Sequence, residues 1–174
     1  MDYQTNWRSP LGELTLASDG ERLVGIWLRG QKYFAATLEG EARVQDDLRV
    51  FCRAREWLQS YFAGERPAPD ALPLAPRGSA FRREVWRMLC EIPWGEVTTY
   101  GALARRLGPG MSAQAVGGAV GHNPISIIIP CHRVVGADGS LTGYAGGVEN
   151  KLRLLRLEGA DLSRLRVPGR GTAL

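Results

Sequence analysis

Ser126 to Arg133, Ser-Ile-Ile-Ile-Pro-Cys-His-Arg, is the stretch that most constrains how this chain can fold. Three consecutive β-branched residues, Ile127, Ile128 and Ile129, favour a short strand or extended segment buried on both sides, because a helix would need a longer periodic run. Pro130 ends any ladder there, since it has no amide hydrogen to give. The apolar run therefore delivers a thiol, Cys131, and an imidazole, His132, at its end, followed by the cation Arg133. A thiol is a strong nucleophile only as thiolate, and a neighbouring histidinium or arginine lowers its pKa. Adjacent residues on a regular strand face opposite ways. For His132 to serve Cys131, the backbone must turn after Pro130 or the contact must run through a water. Taken alone, the pair also suits a buried core thiol beside an unrelated imidazole.

A chain of 174 residues has room for one large domain or two small ones. No run approaches the length of a membrane span, and Met1-Asp2-Tyr3-Gln4-Thr5 lacks the basic and apolar regions of a signal peptide, so a cytoplasmic protein with no membrane partner is expected. The cysteines, Cys52, Cys90 and Cys131, are odd in number and show no C-x-x-C spacing, which points to a reducing compartment rather than a disulfide scaffold. With only two histidines, His122 and His132, and no Cys/His cluster, no metal site is expected. The net charge of +4 is unevenly spread. Residues 78–174 carry 12 basic against 7 acidic side chains and residues 1–77 carry 10 against 11, so the positive charge lies wholly in the second part. That suits contact with a polyanion, or simply a solvated basic surface.

The first part reads as a small β-rich unit. Leu14 and Leu16 alternate with polar neighbours, Asp19-Gly20 supplies a tight turn, and Leu23 to Leu28 returns as a second strand. From about Asp46 to Phe62 the period becomes helical, with Leu48, Phe51, Cys52, Arg55, Leu58 and Phe62 on one stripe that Val50, Trp57 and Tyr61 widen; Cys52 is expected in the core. Gly64 to Arg77 holds four prolines and reads as a linker, which divides the chain into domains 1–77 and 78–174.

Beyond it, Ser79 can cap a helix whose apolar positions are Phe81, Val85, Trp86, Leu89 and Cys90. Thr98-Thr99-Tyr100 opens a second helix, Gly101 to about Leu107, and Ser112 caps a third, Ala113 to about Val120. Two short helices joined by a glycine-containing turn suggest a helix-turn-helix. The third carries Gly117 and Gly118 in mid-helix, at roughly 1 kcal/mol each relative to alanine, so close approach to another surface is expected to offset them. That surface is a neighbouring helix or a narrow groove, and a DNA minor groove of about 6 Å would serve. Gln114 is the one long side chain near the start of that helix. Val134 to Ser140 reads as a strand entering a turn, Gly143 to Gly147 as a flexible segment with one aromatic, Tyr144, and Val148 to about Leu157 as a final helix bearing Lys151, Arg153 and Arg156. Residues after about Leu165 read as a frayed tail.

Pro130-Cys131-His132-Arg133-Val134, preceded by Asn123-Pro124-Ile125-Ser126-Ile127 and followed by Gly143-Tyr144-Ala145-Gly146-Gly147, closely resembles the O6-alkylguanine-DNA alkyltransferases, or methylated-DNA–protein-cysteine methyltransferases. The likeness extends through Phe81, Val85-Trp86, Ile92-Pro93-Trp94-Gly95, Thr99-Tyr100-Gly101 and Glu158-Gly159, dense over residues 78–160 and loose before.

The resemblance implies an α+β fold in which a small ribonuclease-H-like N-terminal domain precedes a winged-helix-like (helix-turn-helix) C-terminal domain. It implies that Cys131 takes an alkyl group irreversibly from O6 of guanine, or less readily O4 of thymine, in double-stranded DNA, with no cofactor and as a monomer. His132 would act through a water as base toward Cys131, Glu158 would orient His132, and Asn123 would brace the cysteine's turn. Tyr100 would crowd the target phosphate and give a proton toward the departing guanine. Ser112, Ala113, Gln114, Tyr100 and Arg133 would meet DNA, and Tyr144, Val134, Ala145 and Lys151 would line the pocket.

Where most of that family has an arginine, this chain has Gln114, and the zinc-binding residues of some members are missing from its first part. Two other readings remain. A non-catalytic binder of alkylated DNA would lack Cys131, and a thiol redox regulator on the same helices would need a resolving cysteine near it.

Overall fold

The computed structural model describes residues 1–168. They form two compact units, one of Met1–Gly78 with Pro124–Ile128, the other of Ser79–Asn123 with the residues from Ile129 on.

The first unit is a four-stranded sheet in the order β3-β2-β1-β4, formed by β1 (Tyr3–Ser9), β2 (Gly12–Ser18), β3 (Leu23–Leu28) and β4 (Arg43–Val44). The expected Asp19-Gly20 turn joins β2 to β3. Asp19 Oδ1 accepts from the amides of Glu21 and Arg22, and Gly20 takes the positive φ. All six residues of β3 are buried. Gly25 is obligatory there, since a Cβ would lie 1.9 Å from the ring of Trp27.

Helix α1 (Arg49–Phe62) buries Val50, Phe51, Ala54, Trp57, Leu58 and Tyr61. Cys52, expected in the core, is exposed. A helix advances about 100° per residue, and the buried stripe centres on the 50/51, 54, 57/58, 61 series, which turns Cys52 outward. Residues 64–77 are not a free linker either. Leu23 donates its amide to Pro73 O and accepts at its own carbonyl from Ala75 N, so this segment runs parallel along β3. Trp57 Nε1 donates to Ala68 O, and Arg77 grips both carboxylate oxygens of Asp2 at 2.7 Å.

Ile125 also pairs with β3: Ile26 N donates to Pro124 O and Ser126 N to Ile26 O. The isoleucine run that follows is buried as expected but is not a strand. Ile127 sits at φ +74°, and Ile128 N donates back to Ser126 O at 2.9 Å, closing a γ-turn. A second i to i+2 bond, Cys131 N to Ile129 O at 2.8 Å, spans Pro130. Two tight turns in the six residues from Ser126 to Cys131 do what a strand could not. They let the backbone reverse direction immediately before the cysteine.

The second unit is mostly helical: α2 (Ala80–Leu89), α3 (Tyr100–Leu107), α4 (Ala113–Gly121) and α5 (Val148–Leu157), with short parallel strands β5 (Thr98–Thr99) and β6 (Val134–Val135). Ser79, Thr99 and Ser112 cap α2, α3 and α4 by accepting from Arg82, Ala102 and Ala115 amides. Val85, Trp86, Met88 and Leu89 form the buried face of α2, while Phe81 and Cys90 are half-buried at its ends. Trp86 Nε1 donates to Ala119 O, tying α2 to α4. Val135, Leu141, Leu155 and Ala160 form a small core beneath α5. Fraying was expected after about Leu165, but Arg166 is paired, its amide donating to Gly139 O and its carbonyl accepting from Leu141 N; the part of that tail beyond Pro168 lies outside the described residues.

Candidate active site

Cys131 opens a single 3-10 turn, Cys131–Arg133, that follows directly from the turn at Pro130. The backbone therefore does turn after the proline, the first of the two ways in which His132 was expected to serve Cys131. The thiol is almost enclosed, 5% exposed. Burial pushes its pKa up, against the hydrogen bond from the Asn123 side chain, the charge of Lys151 and the amides of Cys131 and His132, all of which favour the thiolate. Asn123 also donates Nδ2 to Ile129 O at 2.8 Å, so one amide braces both the turn and the sulfur it carries.

His132 is completely buried, and its Nε2 lies 2.6 Å from Glu158 Oε1. Glu158 caps the end of α5. Burial alone would raise its carboxyl, but the hydrogen bonds and charges of His132 and Arg133 outweigh that and hold it at about 2. Being ionised, the carboxylate is an acceptor only, so Nε2 carries the proton and the imidazole's lone pair is on Nδ1. Burial likewise lowers the His132 pKa, partly offset by Glu158, so the ring is neutral near neutrality.

Arg133 is where the structure departs most from expectation. Its side chain turns inward rather than out to the surface. Its Nε donates to Glu158 Oε2 at 2.9 Å, Nη2 to Glu158 Oε1 at 3.0 Å and Nη1 to Ile92 O at 2.6 Å, and the residue is 7% exposed. A guanidinium so enclosed, with its N–H groups fixed on three protein oxygens, is bound to the interior. The cation that favours the Cys131 thiolate is Lys151 instead.

Lys151, expected at the pocket edge or on a basic helix face, is fully buried. Its Nζ donates to Val134 O and, at 2.8 Å, to Thr142 O; burial lowers its pKa to about 8. Tyr100, the first residue of α3, gives its hydroxyl to the same Thr142 carbonyl at 2.7 Å. Burial, and secondarily the nearby Cys131, raises the Tyr100 phenol and keeps it protonated. Tyr144 presents its ring edge-on to His132, centroids 6.4 Å apart, with its hydroxyl buried. Ala145 lies half-buried in the Tyr144–Gly147 turn. Thus Cys131, His132, Glu158, Asn123, Tyr100, Tyr144, Val134 and Lys151 converge.

Ser112, Ala113 and Gln114 stand apart from that cluster, exposed at the start of α4 with Ala115 and Gly118, while Val116, Ala119 and Val120 face inward. A Cβ on Gly118 would meet nothing within 4 Å, and one on Gly117 only the Tyr100 ring at 3.7 Å. Packing inside the protein therefore does not require Gly118.

Sequence reasoning missed three features: the Arg133 clamp, the shared Thr142 carbonyl and Gly95. Gly95 has φ +80°, and a Cβ there would sit 2.9 Å from Glu158 O, so the Pro93-Trp94-Gly95 turn packs directly against the glutamate's backbone. The Pro-Trp-Gly string was the available signal.

Fold and site together define a protein that keeps a thiol buried, near an imidazole–carboxylate pair, in a helical domain bearing a small-residue helix face. Residues 3–76 match the profile of the 6-O-methylguanine DNA methyltransferase, ribonuclease-like domain, and residues 80–160 that of the 6-O-methylguanine DNA methyltransferase, DNA binding domain. The Methylated-DNA–protein-cysteine methyltransferase of Haemophilus influenzae is 46% identical over 156 residues, 90% of this chain and 86% of that one. Its namesake from Methanosarcina acetivorans is 43% identical over 159 residues, 91% and 99% of the two chains. Among solved structures, Mycobacterium tuberculosis O6-methylguanine methyltransferase superposes with a TM-score of 0.79 at 41% identity, covering 94% of this chain and 98% of that one. The Mycobacterium tuberculosis OGT in complex with DNA gives 0.81 at 41% identity, with 94% of each covered. This chain belongs to the 6-O-methylguanine DNA methyltransferase family.

Proposed function

We propose that this chain repairs alkylated DNA by direct reversal, as a methylated-DNA–protein-cysteine methyltransferase that moves the alkyl group from O6 of guanine in duplex DNA onto Cys131. What carries this reading is the hydrogen-bonded Cys131 thiol beside a neutral His132 that rests on an ionised Glu158.

A base inside the duplex cannot reach an enclosed thiol, so the damaged guanine is flipped out, at a cost of a few kcal/mol that is smallest for a poorly paired base. The small exposed face of α4 enters the groove, Gln114 fills the space left in the stack, and Ser112 and Ala113 lie against the backbone. Tyr100 crowds the target phosphate and Tyr144 lines the pocket. His132 takes the Cys131 proton through a water, and Glu158 stabilises the imidazolium that forms. The sulfur attacks the alkyl carbon in line, the C–S bond forms as the C–O bond breaks, and the guanine leaves with its electron pair. Tyr100 supplies the proton that the departing ring needs. To do so its hydroxyl must leave Thr142 O, which Lys151 continues to satisfy.

The atoms balance with the lesion as donor and the protein as acceptor, so no cofactor enters. A thioether does not revert, and each molecule acts once. O4-alkylthymine offers the same alkyl–oxygen bond and is the second substrate. The protein acts as a monomer in the cytoplasm. Cysteines that form no disulfide among the described residues fit a reducing compartment, and no described helix is long and apolar enough to cross a membrane.

Titrating the protein into excess duplex with one O6-methylguanine tests this reading. One lesion should disappear per protein molecule and repair should then stop. Continued turnover, or no loss of lesion, would contradict it.

A further inference from the structure

We propose that Arg133 is a positioning residue for the transfer chemistry: its guanidinium, clamped on Glu158, keeps the buried His132–Glu158 pair one proton short, so that His132 is a base when Cys131 must lose its proton. This rests on alkyl transfer to Cys131.

The geometry makes Arg133 part of the relay rather than a neighbour of it. Glu158 Oε1 accepts from both His132 Nε2 and Arg133 Nη2, while Oε2 accepts from Arg133 Nε. Both carboxylate oxygens are therefore engaged, and the third guanidinium arm is fixed by Ile92 O. That carbonyl opens the Pro93-Trp94-Gly95 turn, whose Gly95 packs on the backbone of Glu158. The clamp holds the carboxylate from side chain and main chain together.

Counting charge shows what the clamp does. With His132 neutral, the buried trio of Arg133, Glu158 and His132 sums to zero. Adding a proton to it places an uncompensated positive charge in an enclosed site, which is costly. Without Arg133, the pair alone carries −1, and a proton neutralises it. An imidazole already protonated by such a pair cannot accept from Cys131.

The other ionisable groups facing His132 do not replace this effect. Tyr144 lies at its ring edge as a neutral phenol, and Cys131 precedes it on the same turn. Lys151, from α5, acts in the same direction as Arg133, but its ammonium is bonded to Val134 O and Thr142 O rather than to Glu158. Arg133 is bonded to both oxygens of the carboxylate.

The test is the single-turnover transfer rate against pH for the full-length wild type, Arg133→Met and Arg133→Lys. The acid limb reports the first proton lost from the coupled Cys131–His132 pair. Removing a cation within contact of the relay should move that limb up by about one to three pH units in Arg133→Met, with the rate recovering above it. Arg133→Lys, which keeps the charge, should restore most of the shift. A purely structural arginine would lower the rate at all pH values and leave the limb in place, and that outcome overturns the proposal. Should Arg133→Met not fold, nitrogen NMR of the wild type and of Arg133→Gln, which keeps a donor to Glu158 without the charge, decides. With only two histidines, His122 and His132, the signals are readily assigned. The His132 ring should take up its second proton at higher pH in Arg133→Gln than in wild type; the same titration in both overturns the proposal. Absence of transfer by the wild type at every pH would instead overturn the alkyl-transfer reading, and the NMR result would stand apart from it.

Discussion

Nε2 of His132 lies 2.6 Å from Oε1 of Glu158, and neither side chain is exposed to solvent. A hydrogen bond so enclosed sets the imidazole's tautomer and ties the site's chemistry to the protein's acid stability.

Acid should destabilise this protein in two stages. Both groups have folded-state pKa values below their ordinary ones, so in each case the unfolded chain binds more protons and stability falls as pH falls. For His132 the loss begins below the ordinary value of 6.5. For Glu158 the stability is fully present above 4.5 and is lost as pH falls from there toward about 2. Melting temperature followed from neutral pH downward should fall from about pH 6.5 and fall more steeply below about 4.5. Glu158→Gln should be less stable at neutral pH and show a flatter slope below 4.5. An equal slope in that variant would mean other carboxylates govern acid unfolding.

Gly118→Ala separates stability from DNA contact. The added Cβ meets nothing in the protein, and alanine gains about 0.5–1 kcal/mol over glycine inside a helix. The variant should therefore melt higher yet bind duplex more weakly, because the methyl occupies the face of α4 that enters the groove. Duplex affinity equal to wild type, measured by fluorescence anisotropy, would remove that face from the interface.

Gln114→Arg should bind duplex more tightly and with steeper salt dependence. Gln114 is exposed at the start of α4 and carries no charge, whereas an arginine there adds a cation near the phosphates. Each added phosphate contact raises the slope of log affinity against log salt by about 0.9. Unchanged affinity and slope across a salt series would show that this position does not reach the duplex.

Local chemistry was legible in the sequence where a residue's neighbours decide its role. Ser79 and Ser112 cap their helices, Asp19-Gly20 turns its hairpin and Thr99 opens α3, because each acts on amides two or three positions away. Cys131 and His132 were identifiable as a pair by the same proximity. What failed depended on distant partners or on which side of an element faces inward. Cys52 fits an apolar stripe by period alone, but the sheet meets the stripe one residue over. Three isoleucines favour extension, yet anchoring by Ile26 on one side and Asn123 on the other bends them into turns. Prolines at 67, 69, 73 and 76 argued for a linker, although a proline-rich segment can still offer carbonyls and a few amides to β3. Arg133 and Lys151 looked like surface cations because Glu158 and the Val134 and Thr142 carbonyls that hold them are 9 to 25 residues away.

The most direct measurement is peptide mass after mixing wild type and Cys131→Ala with duplex DNA carrying one O6-methylguanine. Alkyl transfer predicts one methyl group on the wild-type peptide containing Cys131 and none on the variant. An unmodified Cys131 peptide, with the lesion duplex still bound in preference to plain duplex, would contradict transfer and leave a protein that only recognises damage.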